Sequence, residues 1–270
     1  MLLNNTLYGT TWQGFRPTNG TVFSIHTDGT SFTNLHIFTA LDNFGNNSDG
    51  AFPSARLIAS GNTLFGTAAY GGASGSGVVF KVNVDGTGFT NLHSFSGGSD
   101  GANPFAGLLL SGNTLYGTAE FGGTAGSGTV FALNTVDTAF TSLHCFTATS
   151  SDSSGVYTNN DGANPVGGLI LSSNILYGTT RQGGNSGKGT VFSISFSPQL
   201  SVIISAANLI LKWPTNYAGF NYTGFTLQST TNLGSAAFWT TNSSAPVVVN
   251  GLNTVTNPIS GTQQFFRLSK

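Results

Sequence analysis

Acid–base and nucleophilic chemistry need ionisable or reactive side chains, and this chain has few. Its 270 residues hold eight Asp, one Glu, eight Lys or Arg, four His and one Cys. A glycoside hydrolase sets two carboxyls across the scissile bond. Glu120 is the single glutamate, so such a pair needs an Asp. His36, His93 and His144 are residue types of a zinc site. Cys145 beside His144 has the residue types of a thiol nucleophile and its base. Gly71-Gly72-Ala73-Ser74-Gly75-Ser76-Gly77 has the composition of a phosphate cradle. Asn47-Ser48-Asp49-Gly50 and Asn159-Asn160-Asp161-Gly162 resemble half of a calcium loop.

What these residues can do depends on the elements that carry them, and those elements repeat. The tetrapeptide L-[YF]-G-T starts at Leu7, Leu64, Leu115 and Leu176, in steps of 57, 51 and 61. A Val-Phe pair puts Phe23, Phe80, Phe131 and Phe192 always 16 residues later. F-T-[NS]-L-H then places Leu35, Leu92 and Leu143 12 residues after that Phe. D-G-A-[FN]-P begins at Asp49, Asp100 and Asp161, always 15 before the next L-[YF]-G-T. Only the stretch from Phe38, Phe95 or Phe146 to that Asp changes length, by 11, 5 and 15 residues, leaving a constant frame of 46.

Each frame holds four short runs rich in Val, Ile, Phe, Tyr and Thr, bounded by Gly, Asn and Asp. In the third crossing they are A, Ala106–Leu110; B, Thr114–Thr118; C, Thr129–Leu133; and D, Phe140–Phe146. Such runs are strands, and Ser111-Gly112-Asn113 and Asp85-Gly86 are tight-turn signals. Four antiparallel strands every 50 or so residues predict propeller blades. The chain opens in a remnant of strand A, and the fourth unit stops after strand C near Phe196. With no outer strand to complete that unit, an open seam is expected, and with it self-association through a sheet edge. Residues 199–270 leave the register and alternate as a small β-sandwich of immunoglobulin or fibronectin type. Its strands are expected at Leu200–Ser205, Asn208–Trp213, Phe225–Thr230, Phe238–Thr241, Val247–Val249 and Phe265–Leu268, with Trp213 and Trp239 in the core. The fold is thus all-β: a tandem-repeat domain over 1–196, about four four-stranded blades, then a sandwich over 199–270.

The repeat reinterprets the chemistry. A phosphate loop needs a helix after its glycines, whereas Val78–Val82 is a strand. The three histidines sit one per blade on outer strands, too far apart to share an ion. They are expected to hydrogen-bond a neighbouring loop. Cys145 and His144 are successive strand residues on opposite faces. Asp49, Asp100 and Asp161 recur once per blade and are expected to cap the turn into strand A. Gly45 stands where a calcium loop needs another oxygen ligand. No catalytic residue, metal or cofactor is assigned.

The D-to-A and B-to-C loops leave an antiparallel blade on one face, and all length variation lies in D-to-A loops. Insertions confined to one face mark a binding face. Its unpatterned residues are Asp42, Phe44, Asp152 and Tyr157 in D-to-A loops, and Trp12, Tyr70, Glu120, Phe121 and Arg181 in B-to-C loops. Aromatics among Asp, Glu, Arg and Gln suit a sugar or a peptide. The alternatives are a polysaccharide hydrolase or lyase using Glu120, Asp42 or Asp152, and a structural spacer.

L-Y-G-T-T, G-G-x-x-G-x-G-T-V-F, F-T-x-L-H-x-F and D-G-A-x-P in fixed order over 1–196 resemble the bacterial GloVer tandem repeat. Proteins with it are described as choice-of-anchor proteins. The resemblance implies an exported, surface-associated protein and no activity. The start, MLLNNTLYGT, has no basic segment, apolar stretch or cleavage site, so an N-terminally shortened form of an extracellular or cell-surface parent is expected. Net charge −1 and pI near 6.4 argue against a nucleic-acid partner. No apolar run approaches the ~20 residues of a membrane helix. Charged residues are only 6% of the chain, yet 39% is hydrophobic, with 22 Phe, enough for a core. The acids all precede residue 162, giving −4 over 1–196 and +3 over 197–270.

Overall fold

The computed structural model describes all residues except 15–18, 152, 173, 197, 218, 223, 234–236, 243, 260–262 and 270. Among the described residues every regular element is a strand. The chain divides into two compact units, Met1–Ile194 and Ser195–Lys270.

The first unit is a series of meander sheets. Blade 1 runs β1 (Leu2–Leu3), β2 (Thr6–Thr11), β3 (Thr21–His26) and β4 (Thr33–Ile37). Blade 2 runs β5 (Ile58–Ser60), β6 (Thr63–Ala68), β7 (Val78–Asn83) and β8 (Thr90–Ser94). Blade 3 runs β9 (Leu109–Ser111), β10 (Thr114–Ala119), β11 (Thr129–Asn134) and β12 (Phe140–Cys145). A hairpin, β13 (Ser150–Ser151) and β14 (Tyr157–Thr158), sits in the longest D-to-A loop. Blade 4 has three strands, β15 (Ile170–Ser172), β16 (Ile175–Thr179) and β17 (Val191–Ser195). Strand A is shorter than expected, β9 starting at Leu109. The Ala106 carbonyl accepts from Thr67 Oγ1 of the preceding blade at 3.1 Å instead of pairing with β10.

Alternation builds the stack. In β7, Val78, Phe80 and Val82 pack toward blade 1 with Phe38 and Tyr8. Val79 packs the other way, with Leu115 and Phe131 of blade 3. The blade 2 sheet therefore buries both faces, and it lies face to face with the sheets before and after it as propeller blades do.

The repeated motifs each have a packing reason. The Gly of L-[YF]-G-T lies directly opposite the Phe of Val-Phe, as in Gly9↔Phe23, Gly66↔Phe80 and Gly117↔Phe131. A Cβ on Gly9 or Gly66 would stand 2.6 Å from that ring. The ring lies across the bare backbone, so any larger residue would displace a core Phe. The Thr of the same motif ties neighbouring blades. Thr10, Thr67 and Thr118 donate to the carbonyls of Ala55, Ala106 and Gly167 at 3.2, 3.1 and 3.3 Å.

The second unit holds β18 (Ser201–Ser205), β19 (Asn208–Pro214), β20 (Asn216–Tyr217), β21 (Phe220–Asn221), β22 (Thr226–Thr230), β23 (Thr240–Thr241), β24 (Val247–Val249), β25 (Leu252–Pro258) and β26 (Phe265–Ser269). One sheet has order β18-β19-β25-β24 and another β23-β22-β26, with β20-β21 a separate hairpin. Leu211, Trp213 and Val255 of the first pack with Leu227, Phe266 and Leu268 of the second, so the two sheets share one core. Trp213 is buried there, and its indole N–H has no hydrogen-bond partner among the described residues. Trp239, expected in the core, is only half-buried, and the Arg267 guanidinium lies 4.3 Å from its ring centre. An aromatic face is a good seat for a guanidinium, which holds that ring toward the surface.

Candidate functional site

Two hydrogen-bonded systems organise the loop end of the blades. The first is a latch. His36, His93 and His144 donate Nε2–H to Asp49, Asp100 and Asp161 at 2.9, 3.1 and 2.9 Å. The same carboxylates accept the backbone N–H and hydroxyl of Thr39, Ser96 and Thr147. Each elastic D-to-A loop is therefore closed at its base by residues that flank it. The acids reach back across the loop instead of capping their own turn. Burial alone pushes the Asp49 and Asp161 carboxyls up, but hydrogen bonds from His and Thr outweigh it and hold both below the ordinary range. Burial lowers His93 against the pull of Asp100, so its imidazole is neutral and a plain donor. Asn47 and Asn159 fasten the loops to the next B-to-C loop: their Oδ1 atoms accept from Gly72 and Gly184 N–H at 2.8 and 2.9 Å. The oxygens of the calcium-like segments thus face N–H donors.

The second system is an arc. Phe52, Asn103 and Asn164, the fourth residue of each D-G-A-[FN]-P, are left-handed, with φ of 58, 57 and 56°. Their carbonyls accept from the N–H of Ala69, Glu120 and Arg181 at 3.3, 3.1 and 3.1 Å. Asn103 and Asn164 also donate Nδ2–H onward, to the carbonyls of Ala69 and Glu120 at 2.9 and 3.2 Å. One chain of bonds runs 52–69–103–120–164–181 from blade to blade. Positions 12, 69, 120 and 181 are equivalent in the repeat, and their side chains are Trp, Ala, Glu and Arg.

Phe52 is the exception on this arc. Asn tolerates the left-handed region and Phe does not. Phe52 also lacks the amide that its equivalents donate. Its ring instead stacks on Trp12 at 5.3 Å and meets Tyr70 edge-on at 5.8 Å. Phe105 completes the group, 6.1 Å from Trp12 and 5.8 Å from Tyr70. Trp12 and Tyr70 remain 40% and 38% exposed, so the four rings form a surface platform.

The expected site residues fall into separate places. Trp12 and Tyr70 are brought together. Glu120 and Arg181 meet as an ion pair at 2.9 Å, Glu120 buried and Arg181 exposed. Burial raises the Glu120 carboxyl, and the Arg181 charge offsets this only in part, leaving it above the ordinary range. Phe121 is exposed, its backbone bridged to Ala102. Asp42 accepts the N–H groups of Phe44 and Asn46, both at 2.8 Å. The Asn46 N–H chiefly holds its pKa low, so the carboxylate is a loop staple. That staple presents Phe44 to solvent at the loop tip. Tyr157 is exposed on β14. Asp152 lies outside the described residues. Among the described residues no group of His, Cys, Asp or Glu is placed to hold a metal. Phe52 and Phe105 were not among the expected residues. Their signal was in the repeat, where Phe52 replaces Asn and Phe105 stands where other copies have Ser54 and Val166.

The profile of the Gloeobacter/Verrucomicrobia repeat matches residues 2–157. The chain belongs to that repeat family. The match spans the first two latches and the arc residues as far as Glu120, and ends before Asp161. No curated protein sequence matches the chain. Similar solved structures include a nidogen/laminin complex, at 17% identity and TM-score 0.42, covering 77% of this chain and 68% of that one. TolB from Acinetobacter baumannii follows at 11% and 0.40, covering 78% and 49%. A Mycobacterium tuberculosis puromycin-hydrolysing peptidase gives 10% and 0.41, covering 78% and 32%. The chain thus spans about half of TolB and a third of the peptidase.

Proposed function

We propose that this is a non-catalytic, exported or cell-surface repeat protein that binds a carbohydrate through one face of its blades. The observation that carries this reading is the Trp12–Phe52–Tyr70–Phe105 platform, half-exposed and held in part by a residue in an unfavourable backbone conformation. Backbone strain of this kind persists where surroundings over-determine it, and it clusters at ligand sites. Flat rings offer the C–H face of a pyranose a dry surface, while the neighbouring loop amides offer partners to its hydroxyls. The carboxylates support a non-catalytic role. Asp42 is committed to its loop, and Glu120 is buried against Arg181. A glycan and peptidoglycan array is the test, run with the wild type and Trp12→Ala/Tyr70→Ala. Selective binding to a polysaccharide class, lost in the double variant, is expected. An array with no glycan signal, or a signal that survives the double substitution, overturns the reading.

A further inference from the structure

Blade 4 keeps a slot that blades 2 and 3 fill with their own outer strands. His36 is covered by the ring of Phe89, stacked at 3.5 Å and 7°, and His93 by Phe140 at 3.9 Å and 11°. Those two Phe residues open the D strands of the following blades and also stack on the strand-C rings, Phe80 and Phe131, both at 5.5 Å. At the third latch the other rings are in place. Phe146 meets His144 edge-on at 4.7 Å and Phe192 at 5.1 Å, as Phe95 meets His93 and Phe131 at 4.8 and 5.2 Å. Among the described residues no strand lies beyond β17 in its sheet. The His144 and Asp161 side chains are 36% and 25% exposed, against 18% and 8% for His36 and Asp49. Phe192 and Ile194 are half-buried where Phe131 and Leu133 are fully buried. A groove of about 280 Å³ runs along this edge between His144, Asp161, Phe192 and Ile194.

We infer that this groove is a strand-acceptor site for an extended peptide segment of pattern Phe-Thr-x-Leu-His, whose Phe stacks on His144 and Phe192. The occupied equivalents define the guest. In blade 3 Phe140 lies opposite Leu133, which puts the guest Phe opposite Ile194 on the same face of the sheet. Main-chain pairing supplies affinity and the alternate side chains supply selection, as in strand addition generally. A second copy's β17 does not fit, because its own Phe192 face is already roofed by its blade 3. The guest must be a strand without a sheet of its own.

The test uses the full chain and a fluorescent synthetic peptide of residues 87–96, TGFTNLHSFS, followed by anisotropy. Asn83 and Asn134 donate their N–H groups toward the D side, so by alternation the equivalent of Ala132, Ser193, directs its N–H into the groove. Ser193→Pro removes that donor without touching the bonds to β16, and edge strands accept proline. Saturable binding is expected, with an upfield shift of the His144 ring protons. Binding should weaken at least tenfold for Ser193→Pro, and as much for the wild type with a peptide carrying Phe89→Ala. No saturable binding, or equal binding by the proline variant or by the alanine peptide, overturns the inference.

Discussion

The latch and the arc are built at the same end of the same blades, yet the repeat treats them in opposite ways. The latch keeps its side chains: His, Asp and Thr or Ser recur three times with His–Asp distances of 2.9 to 3.1 Å. The arc keeps its backbone and changes its side chains: Trp12, Ala69, Glu120 and Arg181 share one position, and Phe52, Asn103 and Asn164 another. A group repeated once per blade serves the blade. A group that departs from the repeat, at a backbone position where the departure is costly, serves something else. Blade 1 and blade 2 together hold the clearest case, since Phe52 gives up an amide bond and a compatible φ to join three other rings.

This contrast fails if latch and arc respond alike to substitution. The largest expected effect is in the stack itself. Phe131→Ala should lose ~3–5 kcal/mol in denaturant titration, the usual loss for a buried Phe. Next is Asp49→Ala, which leaves the His36, Thr39 N–H and Thr39 hydroxyl donors without their acceptor. A loss of about 1–3 kcal/mol is expected there, again by denaturant titration. A similar loss for Arg181→Lys, which keeps a cation beside the buried Glu120, would erase the distinction, because the exposed end of that pair should tolerate the change.

Acid sharpens the comparison further. Asp49 and Asp161 have depressed folded-state pKa values, so their latches stabilise fully above the unfolded value of about 3.9 and lose that stability as pH falls through the lower folded values. His93 is also lowered, so protonation from about pH 6.5 downward favours the unfolded chain. Both signs agree. Thermal melts from pH 7 to pH 3 should show stability declining first gently, then steeply below pH ~4. Asp49→Asn should flatten the steep part. The arc aromatics come last in stability: Trp12→Ala with Tyr70→Ala should cost less than Phe131→Ala, about 1–2 kcal/mol, while abolishing glycan binding.

Much of the frame was legible because packing repeated it. Strands B, C and D of the third crossing were placed within a residue or two, since Gly117 opposite Phe131 and Leu115 beside Leu133 leave little choice of register. Strand A was placed too early, because its apolar residues bond a neighbouring blade and not their own sheet. In the second unit β25 went unread, although it is an inner strand of its sheet. Leu252–Pro258 reads LNTVTNP, and only Val255 is buried, so the alternation is too polar to show a strand. On the candidate site, exposed loop aromatics were visible as departures, but which ones converge was not. The convergence of Trp12 with Phe105 depends on how three blades close up, and no local pattern encodes that distance. Asp42 stood as an unpatterned acid because a loop staple and a binding or catalytic acid look alike until the N–H groups around them are placed.

The most direct measurement is the stability and glycan affinity of one variant, Phe52→Asn. It restores the residue that the other two copies carry at a φ near 57°, together with an amide able to donate onward. If Phe52 is held there for a ligand, the variant should be more stable than the wild type by about 0.5–1 kcal/mol, in line with relief of local strain. Its affinity for the polysaccharide should fall at least tenfold. A variant that is less stable and binds as well would make Phe52 a packing residue, and the platform would lose its claim to a function.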